Sequence, residues 1–185
     1  FRSSRFILFS IIAIFMILLI NASVFTVSET EVALRKKFGE VVETNYSAGL
    51  HWKFPVIDNI IKFDRRVMTL DSEPERYLTS EKKNVIVDSF VKWRIFNPRD
   101  YYTSTQGDER IAVSRIVSIL NNEMKGQFGS KTIHEVISGE RSAIMQAVNE
   151  NAGKKTRDMG IELVDVRIKK VELPANVSNS VFLRM

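Results

Sequence analysis

The chain has 185 residues, of which 27 are basic, 22 are acidic and none is cysteine. Residues 6–27 form a run in which 18 of 22 side chains are apolar and none is charged, so all 49 charges fall on the other 163 residues. This distribution excludes a polytopic membrane protein, a disordered chain, a collagen and a disulfide scaffold. What remains is one apolar segment joined to a water-soluble part, large enough for one ordinary domain or two small ones that share a core.

The apolar segment over residues 6–27 predicts a transmembrane helix. At about 1.5 Å per residue its length is about 33 Å, which matches a hydrocarbon core of about 30 Å. A cleaved signal peptide is the alternative, because Arg2 and Arg5 precede the run and Ala22 and Ser23 are small. The apolar core of a signal peptide is shorter, however, at about 7 to 15 residues. A buried core helix would have to be apolar on every side, which a domain of this size rarely accommodates.

The charges around this segment predict its orientation. Arg2 and Arg5 precede it, whereas the first charges after it are Glu29 and Glu31. This order favours residues 1–5 in the cytoplasm and the large soluble part outside. The net charge of +5 is spread along the chain without a basic stripe, so we expect no nucleic-acid partner and at most a weak attraction to anionic lipid.

The first half of the soluble part has mainly the pattern of β-strands. Gly39 predicts a turn between two short strands. Apolar side chains alternate with polar ones from Val85 to Ile95, which predicts a strand with one packed and one solvated face. Asn97 and Pro98 end this strand.

An aromatic segment, Gly49-Leu-His-Trp-Lys-Phe-Pro55, lies between these strands and is predicted to be a loop bounded by glycine and proline. Trp52 and Phe54 can plug the core, or they can contact the bilayer surface, where tryptophan is enriched. The sequence leaves both interpretations open.

The second half has helical periodicity. A helix is predicted here because apolar residues recur at helical spacing, and Gly126 and Gly129 are predicted to end it. These apolar residues are Ala112, Val113, Ile116, Val117, Leu120 and Met124. Thr132 and Glu135 have the spacing of a capping box, which predicts a short helix after Thr132. A further helix is predicted from about Glu140 to Met159, with Gly160 just after its end.

The remainder of the chain predicts a long strand and another helix. The strand follows Gly160 and ends at Pro174, and its apolar parity changes at Leu163/Val164 and at Lys169/Lys170, so we expect bulges at both places. After Pro174 the helical pattern is unfinished at Met185. We therefore expect the protein to continue past Met185 and, because residue 1 is not methionine, to begin before Phe1.

Several stretches together resemble the stomatin/prohibitin/flotillin/HflK/C group, also called the SPFH or Band 7 family. These are GLHWKFPVID, IIKFDRRV, SEKKNVIVDSFVKWRIFNPRDYY, GIELVDVRIKKVELP and the closing VFLRM. The resemblance covers nearly the whole chain and is strongest to the HflK/C branch. It implies an α+β fold: a transmembrane helix (6–27), a β-rich SPFH1 subdomain (28–100), an α/β SPFH2 subdomain (101–174) and the start of a long assembly helix (175–185).

The resemblance also implies a function. Members of this branch assemble with a paralogue around the membrane AAA+ protease FtsH and control the access of membrane substrates to it. The expected partners are thus an HflK-like paralogue, FtsH, further copies of the chain and membrane lipid. The expected location is the bacterial inner membrane, with the large domain in the periplasm. The alternatives are a lipid-microdomain organiser of the stomatin or prohibitin type, without a protease partner, and a membrane protease.

The sequence offers no catalytic, cofactor or metal site. His134-Glu135 begins an H-E-x-x-H motif, but Ser138 occupies the second histidine position, so we interpret Glu135 as part of the capping box. The stretch Gly126–Thr132 has the composition of a P-loop without its spacing. Without cysteine there is no thiol nucleophile. We therefore expect a protein that is not an enzyme and that has no cofactor.

Charged side chains of opposite sign alternate along the last strand. They can pair with a neighbouring subunit or form a solvated face, and the second interpretation is favoured because exposed ion pairs contribute about 0.2–1 kcal/mol each. The residues are Glu162, Asp165, Arg167, Lys169, Lys170 and Glu172.

Overall fold

The fold is described from a computed structural model. It describes residues 2–44, 46–138 and 141–173, and the side chains of 11–42, 46–137 and 141–173. The chain divides between Arg65 and Arg66 into two compact units. Helices and strands occur together, as the predicted α+β class requires. The assembly helix predicted over residues 175–185 lies outside the described residues.

Where the structure describes it, the first unit has one helix and five strands. They are α1 (Arg2–Ala22), β1 (Val24–Val27), β2 (Glu31–Lys37), β3 (Glu40–Thr44), β4 (Gly49–Trp52) and β5 (Asp58–Asp64). Strand β1 pairs with β4, and β2 lies between β3 and β5; all three pairings are antiparallel. The buried side chains of this unit come mainly from β2, where Val32, Ala33 and Leu34 are 4% exposed or less.

Helix α1 ends at Ala22, directly before Ser23. The Ser23 hydroxyl donates a hydrogen bond to the Leu19 carbonyl (2.7 Å), and Val24–Val27 then form strand β1. The predicted end of the helix at Val27 is therefore wrong, because the β-branched run from Val24 prefers an extended backbone. No helix in the described part of the chain combines the length and apolarity that crossing a membrane requires. The transmembrane helix stays a prediction.

A two-residue turn joins β2 to β3. Phe38 (φ 51°) and Gly39 (φ 92°) both have positive φ, and Lys37 pairs with Glu40. Two consecutive residues with positive φ are typical of the type I′ turn, whose twist fits a β-hairpin. The turn predicted at Gly39 is confirmed.

The described residues of the second unit form four strands and four helices. They are β6 (Met68–Asp71), β7 (Glu75–Leu78), β8 (Asn84–Ile95), α2 (Pro98–Thr105), α3 (Glu109–Gly129), α4 (Ile133–Ser138), α5 (Arg141–Arg157) and β9 (Ile161–Glu172). Strand β8 pairs with β6 and β7 along one edge and with β9 along the other, always antiparallel. Strand β9 thus joins β8 in one compact unit, which begins at Arg66. The SPFH1 bounds of 28–100 and the SPFH2 bounds of 101–174 stay predictions.

The alternation predicted for β8 is confirmed. Val85, Val87, Val91, Trp93 and Ile95 are 3% exposed or less, whereas the residues between them, apart from Ser89, reach solvent. The buried side chains lie on the same side of the strand, since successive residues point to opposite faces. Helix α5 packs against β9 and α3, and α3 packs against β7.

Helix α3 supplies much of this core. Four of the six predicted residues, Ala112, Ile116, Leu120 and Met124, are buried, whereas Val113 and Val117 are only partly buried. Of the two glycines predicted to end the helix, Gly129 is its last residue, and Gly126 lies inside it because the extra turn buries Phe128 against Tyr77, with ring centroids 5.2 Å apart. Burial also raises the pKa of Tyr77 to about 12, while its hydroxyl donates to Asn121 Oδ1 (2.8 Å).

The two bulges predicted in the last strand are confirmed. The pairing of β9 with β8 shifts register between Leu163 and Asp165 and again between Ile168 and Lys170. Val164 and Lys169 are therefore the extra residues. A bulge of this kind moves the following side chains to the opposite face, which accounts for the two changes of apolar parity.

The capping box before α4 is also confirmed. Glu135 accepts hydrogen bonds from the backbone N–H (2.7 Å) and the hydroxyl (2.9 Å) of Thr132, and these bonds lower the pKa of Glu135 below its usual value of 4.5. A group with a lowered folded-state pKa stabilises the fold above its unfolded pKa and loses this effect as pH falls through the folded value.

We predict that Thr132→Ala destabilises α4 locally by about 1 kcal/mol, because the N-cap oxygen is lost. Amide exchange in Val136 and Ile137 should accelerate. Thr103→Ala, a threonine substitution inside α2, is the matched control and should leave exchange in α4 unchanged. Equal exchange rates in wild type and Thr132→Ala at neutral pH would contradict the capping role.

Candidate membrane-contact surface

The end of α1 is joined directly to the aromatic segment. The backbone N–H of Lys53 donates to the Ser23 carbonyl (2.7 Å), and Val24, the first residue of β1, pairs with Trp52 in β4. Gly49–Trp52 are thus a strand, and their prediction as a loop is wrong, because β1 supplies the partner that makes an extended backbone stable. The aromatic segment therefore lies beside the last turn of α1.

Four apolar side chains of this segment are exposed. The exposed fractions are 66% for Leu50, 67% for Trp52, 68% for Phe54 and 92% for Val56. We call these four residues the Trp52 surface. Leu50 and Trp52 lie two residues apart in β4 and therefore point to the same side. Phe54 and Val56 follow β4, and Val56 lies in the turn just after Pro55. Clustered exposed apolar residues are typical of an interaction site, since burying each one stabilises a contact by about 1.5–3 kcal/mol.

The described helix beside this surface is apolar as well. From Ile11 to Ile20 of α1, eight large side chains from Ile11, Ile12, Ile14, Phe15, Met16, Ile17, Leu18 and Ile20 are each at least half exposed. The Trp52 surface therefore continues an apolar exposed surface that begins on α1. The first unit thus presents apolar groups at the place where its helix ends.

A buried carboxylate fixes the conformation of the turn after Trp52. Asp58 Oδ2 accepts a hydrogen bond from the Phe54 N–H (3.0 Å), and the Asp58 N–H donates back to the Phe54 carbonyl (2.9 Å). Arg35 Nη1 lies 3.7 Å from the same carboxylate, whose side chain is 2% exposed. Pro55 restricts φ inside the turn. Phe54 and Val56 are held outward by these contacts.

We predict that Asp58→Ala lowers the free energy of unfolding by about 1–3 kcal/mol, because the partly buried Phe54 N–H and Arg35 lose an acceptor. Amide exchange at Phe54 and Ile57 should accelerate as the turn loosens. The matched control is Asp71→Ala, which removes an exposed carboxylate from β6 and should leave this turn unchanged. Unaltered amide exchange in Asp58→Ala would show that Pro55 alone is sufficient to fix the conformation of the turn.

An aromatic cluster supports the other end of β4. The His51 ring lies 5.6 Å from Phe25 and 4.9 Å from Tyr46, measured between centroids, and its Nε2 is 2.7 Å from the Ser47 carbonyl oxygen. These contacts tie β4 to β1. His51 is thus part of the support of the Trp52 surface.

Lys62 fastens β1 to β5 on the same unit. Its Nζ donates to the Thr26 carbonyl (2.6 Å) and lies 3.3 Å from Glu31 Oε2. The pKa of Glu31 is lowered, first by a hydrogen bond from the Ser28 backbone and then by Lys62. The two-stranded β1–β4 pair is therefore held to the three-stranded sheet.

The exposure of Trp52 and Phe54 contradicts the interpretation of these side chains as a core plug. The structure adds Leu50 and Val56 to them, which the sequence reasoning missed although their alternating spacing is visible. It also adds Asp58. No sequence signal identifies the role of Asp58, since it depends on a turn and on Arg35 of another strand.

The other candidate residues have structural roles. His134 and Glu135 lie in α4, where Glu135 completes the capping box. The stretch that has the composition of a P-loop, Gly126–Thr132, contains the last four residues of α3 and the short link to α4. His51 and His134 belong to different compact units. Within the described residues, no three histidine, aspartate or glutamate side chains are close enough to bind a metal ion.

The six charged residues of β9 all have a partner in their own chain. Arg94 Nε lies 2.6 Å from Glu162, Arg167 lies 2.7 Å from Asp165, Lys169 lies 2.8 Å from Asp71, and Lys170 pairs with Glu172. This agrees with the solvated-face interpretation. A neighbouring subunit would have to exchange these pairs for its own, at little cost where they are exposed.

Residues 25–185 match the SPFH domain / Band 7 family. The match includes β2–β9 and all of β1 except Val24, and it begins three residues after the end of α1.

Among curated proteins, the chain is similar to Protein HflC of Haemophilus influenzae, with 40% identity over 144 residues, 76% of this chain and 49% of that protein. It is 31% identical over 192 residues to Protein HflC of Buchnera aphidicola subsp. Schizaphis graminum, covering 92% and 62%. It is 29% identical over 227 residues to the Modulator of FtsH protease HflC of Escherichia coli K12, covering 95% and 67%. The chain thus spans about half to two thirds of these relatives.

Proposed function

This chain belongs to the SPFH domain / Band 7 family, and from that membership we propose that it is a non-catalytic membrane scaffold that regulates the AAA+ protease FtsH. A relative that aligns with 95% of the chain is named as a modulator of that protease. The proposed scaffold assembles with an HflK-like paralogue and with further copies of the chain. It regulates by controlling which membrane substrates reach FtsH.

The proposed location is the bacterial inner membrane, with the apolar segment crossing it, residues 1–5 in the cytoplasm and the larger part in the periplasm. The Trp52 surface is the observation that supports the proposed contact with the bilayer. Its four exposed apolar residues lie beside the end of α1, whose residues 6–22 are uncharged, and aromatic side chains favour the level of the lipid headgroups. In this arrangement the first unit rests on the bilayer next to its anchor.

The proposed mechanism is steric. A wall of repeated subunits that rest on the membrane through their Trp52 surfaces leaves no gap along the bilayer, so a membrane protein cannot slide beneath it. Soluble proteins do not travel in the bilayer and are unaffected by that barrier. Rigidity at the base is needed for such a wall, and Asp58, Lys62 and the His51 cluster supply it in each subunit.

Co-purification tests the protease partner. Tagged chain, expressed at native level and extracted in mild detergent, should retain FtsH and the HflK-like paralogue. Recovery of lipid and further copies without any AAA+ protease would overturn the proposal. That result would favour the second candidate, an organiser of lipid microdomains, which the exposed Trp52 surface also supports.

A cysteine reporter tests the orientation. The chain has no cysteine, so Ser118→Cys, at an exposed position of α3, introduces a single thiol. A membrane-impermeant maleimide should label it in spheroplasts. Ser3→Cys reports on the cytoplasmic side of the membrane. It should be labelled only after the cells have been lysed. The reverse pattern would contradict a periplasmic domain.

A further inference from the structure

Another exposed aromatic side chain lies at the tip of the β2–β3 hairpin. Phe38 is 81% exposed and has φ 51° in the turn of residues 37–40, which we call the Phe38 turn. Type I′ turns favour asparagine, aspartate or glycine, and a positive φ is strained for a bulky side chain. Strained residues cluster at functional sites. The position of Phe38 therefore points to a contact outside the chain.

The Phe38 turn lies beside the turn that holds part of the Trp52 surface. In the pairing of β2 with β5, Lys37 faces Asp58. Asp58 is also the residue whose carboxylate and N–H bind the backbone of Phe54, so residues 54–58 form a compact turn. Both turns therefore lie at the same end of the β3–β2–β5 sheet. Phe38 extends the exposed apolar surface of the first unit from a different hairpin.

These two turns have a positive net charge. Residues 36–42 and 52–58 contain three lysines, Lys36, Lys37 and Lys53, and two carboxylates, those of Glu40 and Asp58. The Asp58 carboxylate is buried beside an arginine, so its charge is compensated inside the fold. The three lysines and Glu40 then leave a net charge of +2. The aromatic rings are thus accompanied by cations.

Lys53 is fixed to the end of α1. Its backbone N–H donates to the carbonyl of Ser23, the residue that directly follows the helix. In the proposed arrangement α1 crosses the bilayer, so Lys53 lies at the level of the lipid headgroups. Lysines at this level attract anionic lipids, and the ammonium group binds phosphate. In zwitterionic lipids the cation of the headgroup offsets that attraction.

We infer that the Phe38 turn and the Trp52 surface together bind lipids whose headgroups have a net negative charge, such as phosphatidylglycerol. The Phe38 and Phe54 rings enter the interface, and Lys37 and Lys53 contact headgroup phosphates. The inference rests on the proposed function, in which the first unit lies on the bilayer. It adds a second contact point and names the class of lipid that collects at the base of the scaffold.

Tryptophan quenching tests the inference in the full chain, reconstituted into vesicles. Phe38→Trp in a Trp52→Phe, Trp93→Phe background leaves one tryptophan, in the Phe38 turn. The vesicles contain phosphatidylglycerol and phosphatidylcholine at a fixed ratio, and bromine is placed on the acyl chains of one lipid or the other. Brominated phosphatidylglycerol should quench more strongly, with a binding ratio of about fivefold or more in its favour, as expected for one lysine or more near an anionic lipid.

Charge removal tests the role of the lysines. Lys37→Gln combined with Lys53→Gln should bring the binding ratio close to one. Lys125→Gln, at an exposed position of α3 in the second unit, is the matched control and should leave the ratio unchanged. High salt should also lower the ratio in the parent protein, because ions screen exposed charges.

A second reporter replaces Phe38→Trp if that variant does not fold. The chain has no cysteine, so Phe38→Cys accepts a single fluorophore, which phosphatidylglycerol with a nitroxide on its acyl chain should quench. Absence of quenching at position 38, equal quenching by the two lipids, or a preference that survives the loss of both lysines would each overturn the inference. Quenching of Trp52 in Trp93→Phe and co-purification with FtsH, if retained in that case, would leave the proposed function intact.

Discussion

Gly160→Ala is expected to destabilise the second unit by about 3–5 kcal/mol, a large part of the about 5–15 kcal/mol that stabilises a typical domain. Gly160 has φ +72°, a conformation that costs an L side chain about 1–2 kcal/mol. A Cβ there would also lie 2.2 Å from the Asn97 carbonyl oxygen and 2.5 Å from the Tyr101 nitrogen. Both are backbone atoms, so neither can rotate away.

The contact has a structural purpose. The Gly160 carbonyl accepts hydrogen bonds from the N–H groups of Phe96 and Asn97 (3.1 and 3.2 Å), and Asn97 is the N-cap of α2. The start of β9 therefore fixes the start of α2. Loss of this contact should therefore loosen both the start of β9 and the start of α2.

Denaturant unfolding followed by circular dichroism measures the effect. Gly39→Ala is the matched control: Gly39 also has positive φ (92°), but no atom lies within 4 Å of its Cβ position, so about 1–2 kcal/mol is expected. Gly153→Ala, inside α5 with open space around it, should stabilise by about 0.5–1 kcal/mol. Similar losses at Gly160 and Gly39 would contradict the close backbone approach.

The second large effect is expected in tryptophan fluorescence. The chain has two tryptophans: Trp52 is 67% exposed and Trp93 is 1% exposed. In vesicles that contain brominated lipid, the emission of Trp52 should be strongly quenched and shifted to the blue. Burying its ring stabilises the contact by about 1.5–3 kcal/mol, which keeps the surface on the bilayer for about nine tenths of the time or more.

Single-tryptophan variants separate the two signals. Trp93→Phe reports on Trp52, and Trp52→Phe reports on Trp93, which lies in the core of the second unit and should be insensitive to lipid bromine. Phe54→Ser in the Trp93→Phe background should weaken the quenching, whereas Phe96→Ser, which alters a 47% exposed phenylalanine of the second unit, should not. Membrane contact would be contradicted if aqueous iodide quenched Trp52 emission and brominated lipid did not.

Some parts of the fold could be predicted because they depend on the sequence of a single strand or helix. The alternation in β8 predicted which side chains are buried, since a strand in a two-layer structure has one packed face. The parity changes in β9 predicted its bulges at Val164 and Lys169, because an extra residue must reverse the pattern. Thr132 and Glu135 predicted a cap whose hydrogen bonds involve residues three apart.

Long-range partners could not be predicted in the same way. Apolar and polar residues alternate too little in Gly49–Trp52 to indicate a strand. This segment is a strand because it pairs with β1. The unit that begins at Arg66 is held together by β9, which lies about a hundred residues later. Asp58 is an ordinary polar residue in the sequence, and its role comes from the Phe54 N–H and from Arg35 on another strand.

The central claim is that this chain is a scaffold that restricts the membrane substrates of a protease. The direct measurement is FtsH degradation in proteoliposomes of one membrane-embedded and one soluble substrate, with and without the chain and its HflK-like paralogue. The account predicts that the chain changes the degradation rate of the membrane substrate and leaves that of the soluble substrate unchanged. Equal effects on both substrates, no effect on either, or degradation by the chain in the absence of FtsH would contradict it.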